Sequence, residues 1–169
     1  MCQLLGMNCN VPTDICFSFE GFLARGGKTD DHKDGWGIAF FEGKGCRIFM
    51  DAKSSVNSQI ADFVKRYPIH STHAIAHIRK ATQGEIILEN CHPFRRELWG
   101  RNWVFAHNGD LKEFNLPFMD FYEPVGNTDS EKALCLILES LRQQFPMMKP
   151  PLQPLFTVLK RITQKIAKH

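Results

Sequence analysis

The sequence has no C-x-x-C pair, no apolar run long enough to cross a bilayer, and no basic stripe interleaved with aromatic residues. Each absence removes a class of function. Without closely spaced cysteines, a structural zinc site lacks its usual ligand pattern. Without about 20 consecutive apolar residues, no helix is expected to span a membrane. Net charge is small: 21 Lys and Arg stand against 18 Asp and Glu, a net +3, and the basic residues are dispersed. Nucleic acid is therefore not an expected partner. Tyrosine is scarce, with two residues against 14 phenylalanines, so the aromatics read as core rather than as a stacking platform. Repeats and low-complexity tracts are missing. The segment after Met1 reaches Asn8, Asn10 and Asp14 with neither a basic start nor a long apolar stretch, so no signal peptide is expected and cytoplasmic localisation is the default.

What is present suits one domain. The chain has 169 residues, 43% of them hydrophobic, enough to bury a core. Six irregularly spaced cysteines (Cys2, Cys9, Cys16, Cys46, Cys91 and Cys135) read as reduced and mostly buried. Apolar period-two stretches predict strands over Gln3–Met7, Trp36–Phe41, Cys46–Asp51, Thr72–Arg79, Pro93–Leu98 and Asn102–His107, with Gly43-Lys44-Gly45 as a hairpin turn. Helical spacing predicts Asp14–Ala24, capped by Thr13, and Val56–Tyr67, ending before Pro68. Thr128–Gln144 is the longest helix, and Thr128 with Glu131 fits a capping box. Pro146-Met147-Met148-Lys149-Pro150-Pro151 reads as a linker to a last amphipathic helix, Leu155–Lys168, whose apolar side (Leu155, Val158, Leu159, Ile162, Ile166) is expected to pack rather than to lie on a membrane. Residues 1–145 thus form the main body and residues 146–169 the linker and final helix of the same domain. His73 and His77 have metal-pair spacing for a helix, but on a strand they share a face with Arg79 and read as core-lining histidines. No metal and no organic cofactor is expected.

Cys2 is the residue with the most chemistry. Removal of Met1 leaves a chain that begins with an amine and a thiol. A free α-amine titrates at about 7.7–8.0 and a thiol at about 8.5, so a terminal cysteine can pass its proton to its own nitrogen, directly or through a water. Nucleophile and base then belong to one residue, and no catalytic histidine is needed.

Four further segments carry polar residues in a fixed order: Asp34-Gly35-Trp36-Gly37, His77-Ile78-Arg79-Lys80-Ala81-Thr82-Gln83-Gly84, Ala106-His107-Asn108-Gly109 and Asn127-Thr128-Asp129-Ser130-Glu131. With the cysteine at position 2 they resemble the class II glutamine amidotransferases, which are N-terminal nucleophile hydrolases. The run from Gly26 to Gly37 is most similar to the stand-alone branch called YafJ-like. The resemblance covers roughly the first 145 residues.

It implies an α+β fold, the Ntn-hydrolase four-layer αββα sandwich. No strand is expected after Asp129, so the second sheet should be truncated. It implies that Cys2 is the nucleophile, that the Asn108 side chain and the Gly109 backbone N–H form an oxyanion hole, and that Arg79 and Asp129 hold the α-carboxylate and α-ammonium of glutamine, with Thr82 adding a hydroxyl. Gln83 departs from a histidine that some branches carry and is left out of the site. The Asp34-Gly35-Trp36-Gly37 turn is expected beside the nucleophile, with Trp36 as core and His32 as a solvated loop residue. The implied partners are glutamine or a γ-glutamyl compound, a synthase that receives ammonia, and, through an open sheet edge, a second copy of the chain. Two alternatives stay open: a γ-glutamyl amidohydrolase that releases a larger amine, and a catalytically inactive binding module on the same scaffold.

Overall fold

The computed structural model describes residues 2–82, 84–112, 114 and 120–169, and the side chains of all of these except Cys16 and Phe17. The described elements run β1 (Gln3–Asp14), α1 (Cys16–Leu23), β2 (Trp36–Glu42), β3 (Gly45–Asp51), α2 (Gln59–Arg66), β4 (His70–Ile78), β5 (Phe94–Leu98), β6 (Arg101–Phe105), α3 (Asp129–Gln144) and α4 (Leu152–Ile166). Single 3-10 turns occupy Ser55–Asn57 and Leu88–Asn90. The first four strands make an antiparallel sheet in the order β1-β4-β2-β3, and β5 pairs with β6 in a separate hairpin.

Strand alternation decides what each face of the larger sheet meets. Trp36, Ile38 and Phe40 of β2, Ala74, Ala76 and Ile78 of β4, and Leu5 and Met7 of β1 point to one side. There they pack on Phe19, Leu23, Ala61 and Val64 from α1 and α2. Gly37 belongs to the opposite face, where an added Cβ would stand 2.4 Å from the His92 carbonyl oxygen. The second layer presses that close. Arg95 Nη1 donates to the Cys46 carbonyl at 3.3 Å and Asn102 Nδ2 to the Lys44 carbonyl at 3.1 Å, tying the β5–β6 hairpin to β3 and its turn. Beyond the hairpin, Phe94 and Leu98 join Leu134, Leu138 and Leu141 of α3 and Leu155, Val158 and Ile162 of α4 in a second core. The layers are helix, sheet, sheet, helix, and the second sheet has two strands among the described residues.

Several sequence expectations shift at their edges. β1 runs on to Asp14 because Thr13 and Asp14 pair with Ser71 and His70 past an irregularity after Asn8. Those residues therefore cannot open a helix: α1 starts at Cys16, and its N-cap is Ile15, not Thr13. The predicted Val56–Tyr67 helix begins at Gln59, because Ser58 caps it by accepting from the Ala61 N–H while its hydroxyl donates to Asp51 at 2.6 Å. α4 begins three residues early, at Leu152. Pro154 lies in its first turn, where a missing N–H costs nothing. Only half of the capping box forms. Thr128 accepts from the Glu131 N–H, but the buried Glu131 carboxylate goes instead to Arg96 and to the N–H groups of Val125 and Gly126. His32 is buried rather than solvated, with Nδ1 3.3 Å from Asp30. Of the free cysteines described, Cys91 and Cys135 are buried, whereas Cys2, Cys9 and Cys46 are half-buried.

Leu138 is 0% exposed between the β5–β6 hairpin and α4, whereas Leu152 is 76% exposed. Leu138→Ala should lower the unfolding free energy by about 2–5 kcal/mol, while Leu152→Ala should stay within about 0.5 kcal/mol. Urea denaturation of the two variants checks the difference.

Candidate active site

The pairing of β1 with β4 sets Gln3 opposite Ile78 and Leu4 opposite His77. One residue further out, Cys2 meets the segment that leaves β4. Its sulfur accepts from the Lys80 N–H at 3.3 Å and donates to the Lys80 carbonyl at 3.4 Å. That segment is itself clamped to the start of β2. Arg79 N–H donates to the Gly35 carbonyl at 2.8 Å, Asp34 N–H donates to the Arg79 carbonyl at 3.2 Å, and Ala81 N–H donates to the Asp34 carboxylate at 2.8 Å. Gly35 has φ +108° and sits where a Cβ would lie 2.5 Å from the Cys91 sulfur, so this turn requires glycine. The Asp34-Gly35-Trp36-Gly37 segment therefore supports the strand exit on which the Cys2 sulfur rests. Trp36 is fully buried in the helix-side core.

A narrow cleft opens at this point, lined by Cys2, Arg79, Lys80, Ala81, Thr82, His92, His107, Gly109, Thr128, Asp129 and Ser130. Five of the six residues singled out from the sequence are on its walls. The exception is Asn108, which is exposed and does not line it. Gln83 and Met1 lie outside the described residues. The cleft's volume is about 20 Å³, room for about one water.

The charged groups are fixed by backbone. Arg79 is buried, and its guanidinium donates to the Glu85 carbonyl at 2.8 Å and the Gly84 carbonyl at 3.2 Å. These carbonyls orient the guanidinium within the cleft wall. Asp129 opens α3, with its carboxylate accepting from the Leu111 N–H at 2.6 Å and from the Ser130 N–H at 2.8 Å. A carboxylate at a helix start also complements the macrodipole.

Histidines build the back of the cleft. The His77 and His92 rings pack with centroids 4.2 Å apart, both buried, and among the described residues neither ring makes a side-chain hydrogen bond of ordinary geometry. Burial pushes His77 down to about 4, against a favourable contribution from the His107 backbone, and burial together with the neighbouring His77 pushes His92 down to about 2. His107 is the third wall. Its Nδ1 lies 3.0 Å from Ser130 Oγ, and a Cβ on Gly109 would come within 2.6 Å of its Nε2. His92 and the wall positions of His107 and Ser130 were not assigned roles from the sequence. Neither periodicity nor spacing marks them, since each reaches the cleft through a loop or a helix start.

The helix, sheet, sheet, helix layering is that of an Ntn-hydrolase-type αββα sandwich. Comparison with known proteins narrows the class. The family described as "Glutamine amidotransferases class-II" matches residues 1–169, and the chain belongs to it. It is 58% identical over its whole length to a Haemophilus influenzae protein named "Putative glutamine amidotransferase", covering 57% of that relative. It is 53% identical over 98% of its length to the Escherichia coli protein named "Putative glutamine amidotransferase YafJ", covering 65% of it. The crystal structure of a "predicted glutamine amidotransferase" from Pseudomonas aeruginosa superposes with a TM-score of 0.74 at 42% identity, over 98% of this chain and 65% of that one. The chain thus spans roughly three fifths of the length of these relatives. Among the described residues no helix is long and apolar enough to cross a membrane.

The two depressed histidines make stability depend on pH in a defined sense. In the unfolded chain both titrate near about 6.5, so below that pH the unfolded state takes up protons that the native rings refuse. The stabilisation is complete above about 6.5 and is lost as pH falls toward the folded values. Unfolding free energy should therefore drop between pH 7 and pH 5 by on the order of 1 kcal/mol per pH unit for each ring. His77→Phe, which cannot titrate, should remove about half of that slope in denaturant titrations at several pH values.

Proposed function

We propose that the chain is the glutaminase part of a glutamine amidotransferase, with Cys2 as the nucleophile once Met1 is removed. The thiol gives its proton to the α-amine of the same residue, and the thiolate attacks the side-chain amide carbon of glutamine. The negative charge that develops on the amide oxygen is taken by the Gly109 N–H and by the Asn108 amide, turned inward from its exposed position. Collapse of the tetrahedral species breaks the C–N bond, the ammonium returns a proton, and ammonia leaves. A γ-glutamyl thioester remains on Cys2. Water, deprotonated by the same amine, attacks the thioester and releases glutamate, restoring the thiol. Arg79 and Asp129 hold the α-carboxylate and α-ammonium, and Thr82 contributes a hydroxyl at the mouth.

The observation that carries this reading is the gathering of Cys2, Arg79, Thr82, Gly109 and Asp129 around one cleft. A zwitterionic amino acid needs a cation and an anion at a fixed separation from the nucleophile, and a guanidinium is the better fit for a carboxylate because it donates two parallel bonds. Family membership supports glutamine over other amides. The ammonia acceptor belongs to a synthase partner or to water.

Intact mass should show loss of Met1, and glutamine hydrolysis should follow Cys2. Cys2→Ala should abolish turnover while the fold persists, and Asn108→Ala should lower kcat by about 10²–10³. Normal turnover by Cys2→Ala would overturn the assignment. Assay of γ-glutamyl peptides beside glutamine tests whether the leaving amine is ammonia.

A further inference from the structure

Asn90 takes no part in the cleft wall, yet it lies between the two loops that equip it. It ends the 3-10 turn Leu88–Asn90 and is 0% exposed. Its Nδ2 donates to the Glu85 carbonyl at 2.9 Å and to Asn127 Oδ1 at 2.8 Å, while its Oδ1 accepts from the Asn127 N–H at 3.0 Å. The Glu85 carbonyl is the same oxygen that holds Arg79 Nη1. Asn127 immediately precedes Thr128 and Asp129, the N-cap and first residue of α3. One amide therefore bridges the loop that seats the guanidinium and the loop that presents the carboxylate. Only this orientation works, because a reversed amide would set oxygen against the Glu85 oxygen.

Glycines on both loops record the same fit. Gly84 has φ +77°, and a Cβ there would approach Asn127 Oδ1 to 2.8 Å and Asn90 Nδ2 to 3.2 Å. A Cβ on Gly126 would approach Asn90 Oδ1 to 2.2 Å. The amide fills the space that a side chain on either loop would need. Alanine at position 90 would leave the Asn127 N–H without this acceptor and the Glu85 carbonyl held by Arg79 alone. Buried polar groups stripped of a partner move to find another. The two loops would then lose their common spacer.

We infer that Asn90 is a positioning residue that sets the distance between Arg79 and Asp129, and hence the affinity for the amino-acid end of the substrate. The inference rests on the proposed binding of glutamine by these two residues. It places the effect in substrate grip and not in the nucleophile, because the Cys2 sulfur is held by the Lys80 backbone, whereas the Asn90 amide bonds to Glu85 and Asn127.

Two electrophiles separate grip from reactivity. Iodoacetamide needs only the Cys2 thiol, whereas 6-diazo-5-oxo-L-norleucine must also be held as glutamine is. For Asn90→Ala in the full chain, KM for glutamine should rise about tenfold or more and labelling of Cys2 by the diazo compound should slow to match. kcat should stay within about threefold, and the iodoacetamide rate at Cys2, read by mass spectrometry of its peptide, should be unchanged. Asn127→Ala, at an exposed position, should give a smaller KM rise of several-fold, and it decides the matter if Asn90→Ala does not fold. Wild-type diazo labelling in whichever of these variants folds would overturn the positioning role. A parent protein that iodoacetamide alkylates at Cys2 but the diazo compound does not would instead overturn the glutamine reading on which it rests.

Discussion

The antiparallel ladder between β1 and β4 is the constraint on which the site depends. It brings residue 2 beside residue 80 and decides which face each side chain takes. Leu5 and Met7 are committed to the core beneath α1 and α2, so Leu4, and Cys2 by the same alternation, turn toward the second layer. His77 lies opposite Leu4, and Arg79, two residues on, continues its side. A slip of one residue would expose two core residues and send the thiol to the helix side. Burial of the helix-side core therefore helps to fix the position of the Cys2 sulfur, together with its contacts to Lys80.

Close approach of the two sheets gives the cleft its electrostatic character. Gly37 lets the His92 backbone come down onto β2, and Gly35 does the same for the Cys91 sulfur. That proximity strips water from His77 and His92, which stay neutral where an exposed imidazole would be partly charged. The positive charge that remains at the back wall is that of Arg79, whose guanidinium is carried on backbone carbonyls. The neutral rings add no competing charge beside it.

Loops, not strands, supply most of the cleft. Lys80 to Thr82, His107 with Gly109, and Thr128 to Ser130 come from the exit of β4, the exit of β6 and the start of α3. Their mutual placement rests on polar side chains bonded to backbone: Asp34 under Ala81, Glu131 under Val125 and Gly126, and Asn90 between Glu85 and Asn127. Rigid layers set the walls, and these few buried polar groups set the separations.

Local pattern determined the elements. Period-two runs located all six described strands, helical spacing located the four described helices, and the ordered motifs led to the family and to five residues that line one cleft, with Asn108 outside it. These features are encoded within a few residues of chain, where alternation and turn chemistry act directly. What only tertiary structure decided depended on distant partners. β1 extends to Asp14 because β4 offers it a ladder, Glu131 leaves its capping role because Arg96 and two free N–H groups compete for it, and His32 is buried although its local sequence reads as a loop. Asn90, His92 and His107 belong to this second group. Their surroundings are assembled from segments tens of residues apart, and burial, desolvation and shared hydrogen bonds exist only once those segments have met.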